Sequence, residues 1–139
     1  MPISKFSITS EYHNITVVSK KIKIFCLKEL VPLNVIDAVE ICLMEALNNS
    51  IKHSYEGRPG NKIDLLVSIS KTRIEIDIME TGLPRTNFDK PKLEFDPGNL
   101  DTAPEGGMGL FLIESLMNSA SYCSKNGLNI TSFSKDLQS

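Results

Sequence analysis

The chain has 139 residues, the length of about one domain, and we expect one hydrophobic core. Its 15 basic and 17 acidic residues give a net charge of -2 and are mixed along the sequence, so they offer no positive field to a nucleic acid or an anionic membrane. No run of 18 apolar residues predicts a membrane span, and the N-terminus lacks the pattern of a secretory signal. We therefore expect a soluble, cytoplasmic protein without a nucleic acid or membrane partner.

The three cysteines, Cys26, Cys42 and Cys123, are odd in number and lie far apart among apolar neighbours. This usage is typical of small core residues rather than of disulfides or metal ligands. It is also consistent with a reducing compartment.

In chain order, the first elements are a strand and two helices. Residues 2–9 alternate between apolar and polar side chains, which predicts a short strand. Apolar residues then recur at helical spacing from about Asn14 to Leu30. A second helix is predicted from Leu33 or Asn34 to about Tyr55, before a loop rich in glycine and proline.

The second half of the chain predicts two strand hairpins separated by a long loop and a helix. The loop is indicated by four of the seven prolines and few apolar residues. The predicted elements are strands at 63–69 and 74–78, an irregular loop at 81–105, a helix at 108–117, and strands at about 120–125 and 128–134. We expect one domain over residues 1–139, in the α+β class, with helices on one face of a mixed, mostly antiparallel sheet.

Three polar residues of the second helix, Glu45, Asn49 and His53, share one sector beside the apolar stripe. An amide oxygen is a hard ligand of the kind Mg²⁺ prefers, and a carboxylate one turn away can orient or deprotonate an attacking hydroxyl. The alternative is that Glu45 and Asn49 bond to nearby backbone or to each other, and that His53 is structural.

Glu80 continues the alternation of the strand before it, so its carboxylate is expected on the core-facing side, just before Gly82. A buried acid needs a hydrogen-bond donor. The exocyclic amino group of adenine is one, whereas guanine presents a carbonyl there, and Gly82 would allow a base to approach closely. The alternative is that Glu80 turns into solvent and Gly82 serves only the turn.

Glycines 106, 107 and 109 open the last predicted helix and would expose backbone N–H groups to an anion such as phosphate. They are equally able to provide helix capping and tight packing. The spacing matches neither a P-loop nor a dinucleotide-binding fingerprint.

Taken in order, the segments 45–53, 80–84 and 107–110 resemble the motifs of the GHKL ATPase superfamily, most closely the bacterial anti-sigma factor serine/threonine protein kinases. The resemblance spans nearly the whole chain. It implies the Bergerat ATP-binding fold, a two-layer α/β sandwich, with ATP and Mg²⁺ as cofactors and a nucleotide lid at about 81–106.

The resemblance also implies a role for each matching residue. Glu45 matches the catalytic base, Asn49 the Mg²⁺ ligand, and Glu80 the acid that reads adenine. The remaining matches imply nucleotide-binding positions at His53, Gly82, Gly107, Met108, Gly109 and Leu110.

Members of this family phosphorylate a STAS-type anti-anti-sigma partner, and many bind a sigma factor and form homodimers. The resemblance therefore implies an anti-sigma kinase in a partner-switching pathway that regulates transcription. The alternative is a non-catalytic switch, because Glu80 stands where the family usually has Asp, and no Arg or Lys occurs from Pro97 to Gly109. A detached sensor-kinase ATPase module ranks lower, since no helical hairpin carries a phosphoacceptor histidine.

Overall fold

The computed structural model describes residues 2–84 and 113–138. Their elements are β1 (Ile3–Thr9), α1 (His13–Lys28), α2 (Leu33–Asn49), a π-helical turn (Ser50–Ser54), β2 (Lys62–Ile69), β3 (Arg73–Glu80), β4 (Ser119–Lys125) and β5 (Leu128–Asp136). Residues 113–116 are also helical. The predicted strands and the first two helices are confirmed, except that the second helix ends as a π-helical turn rather than as continuous α-helix.

The five strands form one sheet in the order β1-β2-β3-β5-β4, and all four neighbouring pairs are antiparallel. The hairpin predicted for the strands at 63–69 and 74–78 is confirmed by the antiparallel pairing of β2 and β3. The turn between β4 and β5 places Asn126 and Gly127 at positive φ, 55° and 79°, as expected for a two-residue hairpin. The predicted α+β class, with helices on a mostly antiparallel sheet, is confirmed.

The core lies between the inner face of the sheet and the two helices. Strands β2 and β3 bury every second residue, because alternate side chains of a strand point to opposite faces. The helices contribute one stripe each, which includes Ile15, Val18, Ile22, Ile36, Val39, Leu43 and Leu47. Among the described residues, no helix has both the length and the apolar character needed to cross a membrane.

Two of the three cysteines occupy the predicted environment. Cys26 and Cys42 are buried, whereas Cys123 is exposed. The prediction is wrong for Cys123 because β4 is an edge strand on which Ala120 and Tyr122 face inward, so Cys123, the residue after Tyr122, points outward.

Candidate functional site

The second helix widens at its C-terminal end into a π-helical turn. The N–H of Tyr55 donates to the carbonyl oxygen of Ser50 at 3.2 Å, a five-residue spacing. His53 lies within this turn and is partly buried. Gly57, at φ 76°, takes part in ending the helix.

The side chains of Glu45 and Asn49 lie partly buried on the last turns of α2. Within residues 2–84 and 113–138, no hydrogen bond joins them to each other or to the backbone. The alternative in which each residue satisfies the other is therefore not what the structure shows. A carboxylate and an amide remain one helical turn apart at the edge of the core, where both can meet a ligand.

A lysine from the sheet approaches the same part of α2. Burial raises the pKa of the Cys42 thiol to about 12; the Lys135 ammonium opposes this shift and the Glu45 carboxylate adds to it. Opposite charges from β5 and α2 thus lie near one buried thiol. The Lys135 ammonium also donates to the carbonyl oxygen of Leu116 at 2.7 Å, which ties the helical residues 113–116 to the sheet.

Lys135 is a residue of this region that sequence reasoning missed. A signal was present, because Lys135 has the same strand parity as Phe133, which is buried. An inward-facing lysine in a strand is unusual enough to mark a site.

Glu80 is the last residue of β3 and is only 5% exposed. The predicted inward orientation is confirmed, and the alternative in which the side chain turns into solvent is wrong. Its Oε1 atom accepts hydrogen bonds from the N–H of Gly82 at 3.1 Å and from Nδ2 of Asn129 at 2.5 Å. The longer glutamate side chain has therefore folded back towards the backbone two residues further along.

Asn129 is the second site residue that sequence reasoning missed. It pairs with Glu80 across the β3–β5 ladder and is 2% exposed. Its position just after the Asn126-Gly127 turn suggests an ordinary turn asparagine. The alternation along β5 was again the available signal, because Asn129 lies four residues before the buried Phe133 and therefore on the same face of the strand.

Gly82 joins the end of β3 to the end of the second helix. A Cβ atom at this position would lie 2.3 Å from the carbonyl oxygen of Ser54, so only glycine fits without displacing backbone. The N–H of Leu83 donates to that same oxygen at 2.7 Å. The structure accounts for Gly82 by this contact, whereas the close approach of a base at Gly82 stays a prediction.

The hydroxyl of Tyr55 adds two hydrogen bonds at this junction. Its hydroxyl donates to the carbonyl oxygen of Lys62 at 2.8 Å and accepts from the N–H of Thr81 at 3.0 Å. One side chain thus connects the end of the helix, the start of β2 and the segment after β3.

The structure therefore brings two of the three predicted motif segments together. The helix that carries Glu45, Asn49 and His53 meets the strand end that carries Glu80 and Gly82. The third segment, Gly107, Met108, Gly109 and Leu110, lies outside the described residues, as does the predicted lid apart from residues 81–84. The chain returns to the described part at Ile113, which is buried in the core.

The side chains of this region suit a Mg²⁺ ion that takes one ligand from the protein and the others from phosphate oxygens and water. In the described ranges, no three His, Cys, Asp or Glu side chains form a group that could hold a metal ion. Mg²⁺ usually keeps few protein ligands and completes its shell with phosphate oxygens and water. The amide oxygen of Asn49, partly buried beside Glu45, fits such a single protein ligand.

The chain matches the family described as histidine kinase-like ATPase domain over residues 8–135. It is 33% identical over 101 residues to the serine-protein kinase RsbW of Staphylococcus aureus (strain JH9), an alignment that covers 69% of this chain and 63% of that protein. The chain spans less than two thirds of the length of the first curated relatives that it matches.

Two solved structures share the fold. The structure of the RsbU and RsbW domains of a Mycobacterium tuberculosis protein superposes with a TM-score of 0.70 at 11% identity, covering 97% of this chain and 32% of that chain. A chain of the SiaB–SiaC complex from Pseudomonas aeruginosa gives 0.61 at 14% identity, covering 96% and 89%. Because the family match extends over nearly the whole sequence and the fold agrees with it, the chain belongs to the histidine kinase-like ATPase domain family.

Proposed function

We propose that the chain is an ATP-binding anti-sigma factor and protein serine/threonine kinase that phosphorylates a STAS-type anti-anti-sigma partner in a cytoplasmic partner-switching pathway. The family and the similarity to a serine-protein kinase support this activity. The observation that carries the proposal is the contact of Gly82 with Ser54, because it sets the helix bearing Glu45 and Asn49 against the strand end bearing Glu80.

The nucleotide would bind across this junction. Glu80 is a buried acceptor at the floor of the site and would receive the amino group of adenine. Residues of about 81–106 would act as the lid of this single domain. The backbone at Gly107, Met108, Gly109 and Leu110 would hold the phosphates at a helix N-terminus.

The catalytic end of the site would lie at Glu45. In the transfer, the hydroxyl oxygen of the partner serine or threonine forms a bond to the γ-phosphorus, the bond from that phosphorus to the oxygen of ADP breaks, and the hydroxyl proton passes to the Glu45 carboxylate. Asn49 would supply the protein ligand of Mg²⁺, which neutralises phosphate charge when bound. His53, one turn beyond Asn49, would line the nucleotide site.

The partners are also proposals. The Pseudomonas neighbour was solved as a complex of SiaB with SiaC, which supports a protein partner for a chain with this fold. A sigma factor as second partner, and a homodimer as the assembly, follow from the resemblance to the anti-sigma kinases. The mixed surface charge is compatible with protein partners rather than nucleic acid.

One observation favours a second candidate, a switch protein that binds its partner without phosphate transfer. Oε1 of Glu80 already accepts two hydrogen bonds from the protein, which leaves less of the carboxylate for a nucleotide. The sequence from Pro97 to Gly109 also has no cation to stabilise a transferred phosphoryl group.

The two candidates separate in a phosphotransfer assay with Mg-ATP and the cognate STAS protein. We expect transfer by the wild type and a loss of about 10²-fold or more in Glu45→Gln, while ATP affinity changes little. Asp37→Asn, a change of an exposed acid on the same helix, is the matched control and should retain full activity. Equal transfer by wild type and Glu45→Gln would contradict the role of Glu45.

Calorimetry with Mg-ATP completes the test. Tight binding by the wild type without any transfer to the partner would support the switch. Failure to bind ATP would contradict the kinase and would favour a switch that acts without nucleotide.

A further inference from the structure

The buried amide of Asn129 has every polar atom engaged. Its Nδ2 donates to Oε1 of Glu80 at 2.5 Å and to the carbonyl oxygen of Gly82 at 2.9 Å. Its Oδ1 accepts from the hydroxyl of Ser124 at 2.6 Å. A primary amide has two N–H donors, so the donors are fully used and the ring of partners fixes which end of the amide faces Glu80.

This arrangement makes the two oxygens of Glu80 unequal. Oε1 accepts from Asn129 and from the N–H of Gly82, whereas no described residue donates a hydrogen bond to Oε2. A buried carboxylate with one side held by two N–H donors cannot rotate without losing both bonds. The other oxygen, Oε2, therefore points in a fixed direction.

We propose that Asn129 is a positioning residue that sets the base specificity of the nucleotide site by holding Glu80 so that Oε2 faces the ligand. This inference rests on the ATP-binding function proposed above. A carboxylate held in this way accepts the amino group of adenine and opposes the carbonyl group of guanine. Asn129 itself, with its donors used by the protein, makes no contact with the base.

The position of Asn129 also accounts for the glutamate in place of the usual aspartate. The longer side chain can reach Nδ2 of Asn129 and the N–H of Gly82 at the same time. The hydrogen bond to the carbonyl oxygen of Gly82 then couples this pair to the segment that contacts Ser54. Hydrogen bonds therefore connect Glu80 to Asn129 and Asn129 to Gly82, and Gly82 in turn contacts the helix end at Ser54.

The test compares ATP with GTP. Dissociation constants for Mg-ATP and Mg-GTP are measured by calorimetry for the full chain, its Asn129→Leu variant, which keeps the side-chain size, and its Asn129→Ser variant, which retains a donor. We expect Asn129→Leu to weaken ATP binding by about tenfold or more and GTP binding by less than about twofold, so that the preference for ATP collapses. Asn129→Ser should fall between wild type and Asn129→Leu.

The control removes a structural hydrogen bond at the opposite end of the β4–β5 pair from Asn129. The N–H of Asp136 donates to Oδ1 of Asn118 at 2.8 Å, and Asn118→Ala should leave the ratio of ATP to GTP affinity unchanged. A purely structural role for Asn129 would lower the affinity for both nucleotides equally and would overturn the inference. If Asn129→Leu does not fold, an Asn129→Ser variant with the wild-type ratio of ATP to GTP affinity would also overturn the inference.

Failure of the inference can be told apart from failure of the proposed function. Wild-type protein that binds neither nucleotide contradicts both. Wild-type protein that prefers ATP, together with a folded Asn129→Leu variant that keeps the same preference, contradicts only the role of Asn129.

Discussion

The carbonyl oxygen of Ser54 lies where a side chain at Gly82 would begin, only 2.3 Å from an ideal Cβ atom. The two residues belong to the end of a helix and to the segment after a strand, 28 positions apart in the sequence. The carbonyl group and the Cβ atom of Ser54 both crowd this position. The N–H of Leu83 also donates a hydrogen bond to the carbonyl oxygen of Ser54. The junction sets the helix that carries Glu45 and Asn49 against the end of β3 that carries Glu80. The geometry of the candidate site therefore depends on it.

We expect Gly82→Ala to destabilise the protein by about 1–3 kcal/mol, because the new methyl group must displace the backbone of Ser54. Urea unfolding followed by circular dichroism measures the change. Gly57→Asn is the matched control, since Gly57 has φ 76° with no atom within 4 Å of the position that a Cβ atom would take, and asparagine tolerates that conformation. Equal stability of Gly82→Ala and wild type would contradict the contact.

Tyr55→Phe should cost about 1–3 kcal/mol of stability, because the N–H of Thr81 loses its acceptor and the carbonyl oxygen of Lys62 loses its donor. Hydrogen exchange of the Thr81 amide should accelerate more than that of amides in α1. Tyr12→Phe is the control, as Tyr12 is half exposed. A Tyr55→Phe variant with wild-type exchange at Thr81 would show that the hydroxyl is not the link.

The role proposed for Asn49 predicts a metal-dependent effect on nucleotide binding. Asn49→Ala should weaken ATP binding by about tenfold in Mg²⁺ but should resemble wild type in EDTA, because the lost group is a metal ligand. Calorimetry in the two buffers measures this difference. The neighbouring Asn48→Ala provides a matched control with wild-type behaviour in both buffers. A loss of the same size in EDTA would point to a structural role for Asn49.

The buried thiols predict a loss of stability at high pH. Burial raises the pKa of Cys26 from an ordinary value of 9.0 to about 11, and that of Cys42 to about 12. Between pH 9 and these values the unfolded thiols release protons that the folded thiols keep. The free energy of unfolding should therefore be unaffected below pH 9 and fall above it, by up to about 1.4 kcal/mol per pH unit for each thiol.

Comparison with Cys42→Ala isolates this effect from the titration of lysines and tyrosines. The variant should be less stable than wild type at pH 8, and the difference should shrink as the pH rises from 9 to 11. A difference that stays constant over that range would show that Cys42 ionises equally in both states.

The three thiols should also differ in reactivity in the native protein. Cys123 is exposed, whereas Cys26 and Cys42 are buried with raised pKa values, so a disulfide reagent at pH 8 should modify one thiol rapidly and the other two only on unfolding. Mass spectrometry of time points identifies the modified position. Rapid modification of Cys42 would contradict the core described above.

Local periodicity was sufficient to predict the described strands, the first two helices and the inward orientation of Glu80. Alternation along a strand and the helical repeat depend only on residues near one another, so a single sequence contains them. The same residues, with their spacing, carried the resemblance to the GHKL motifs. The family match over residues 8–135 confirms that resemblance.

Other features depended on partners that are distant in the sequence. The exposure of Cys123 follows from the place of β4 at the sheet edge, and the burial of Asn129 follows from its pairing with Glu80. The approach of Lys135 to the helical layer likewise needs β5 to lie between β3 and β4.

Residue types and their periodicity thus determined the elements and which chemical groups the chain can offer to a ligand. Only the tertiary structure decided which of those groups meet: Gly82 with Ser54, Glu80 with Asn129, and Lys135 with the region of Glu45. The physical reason is that strand order and helix–sheet contact are set by burial of the whole core. No local stretch of sequence specifies that burial by itself.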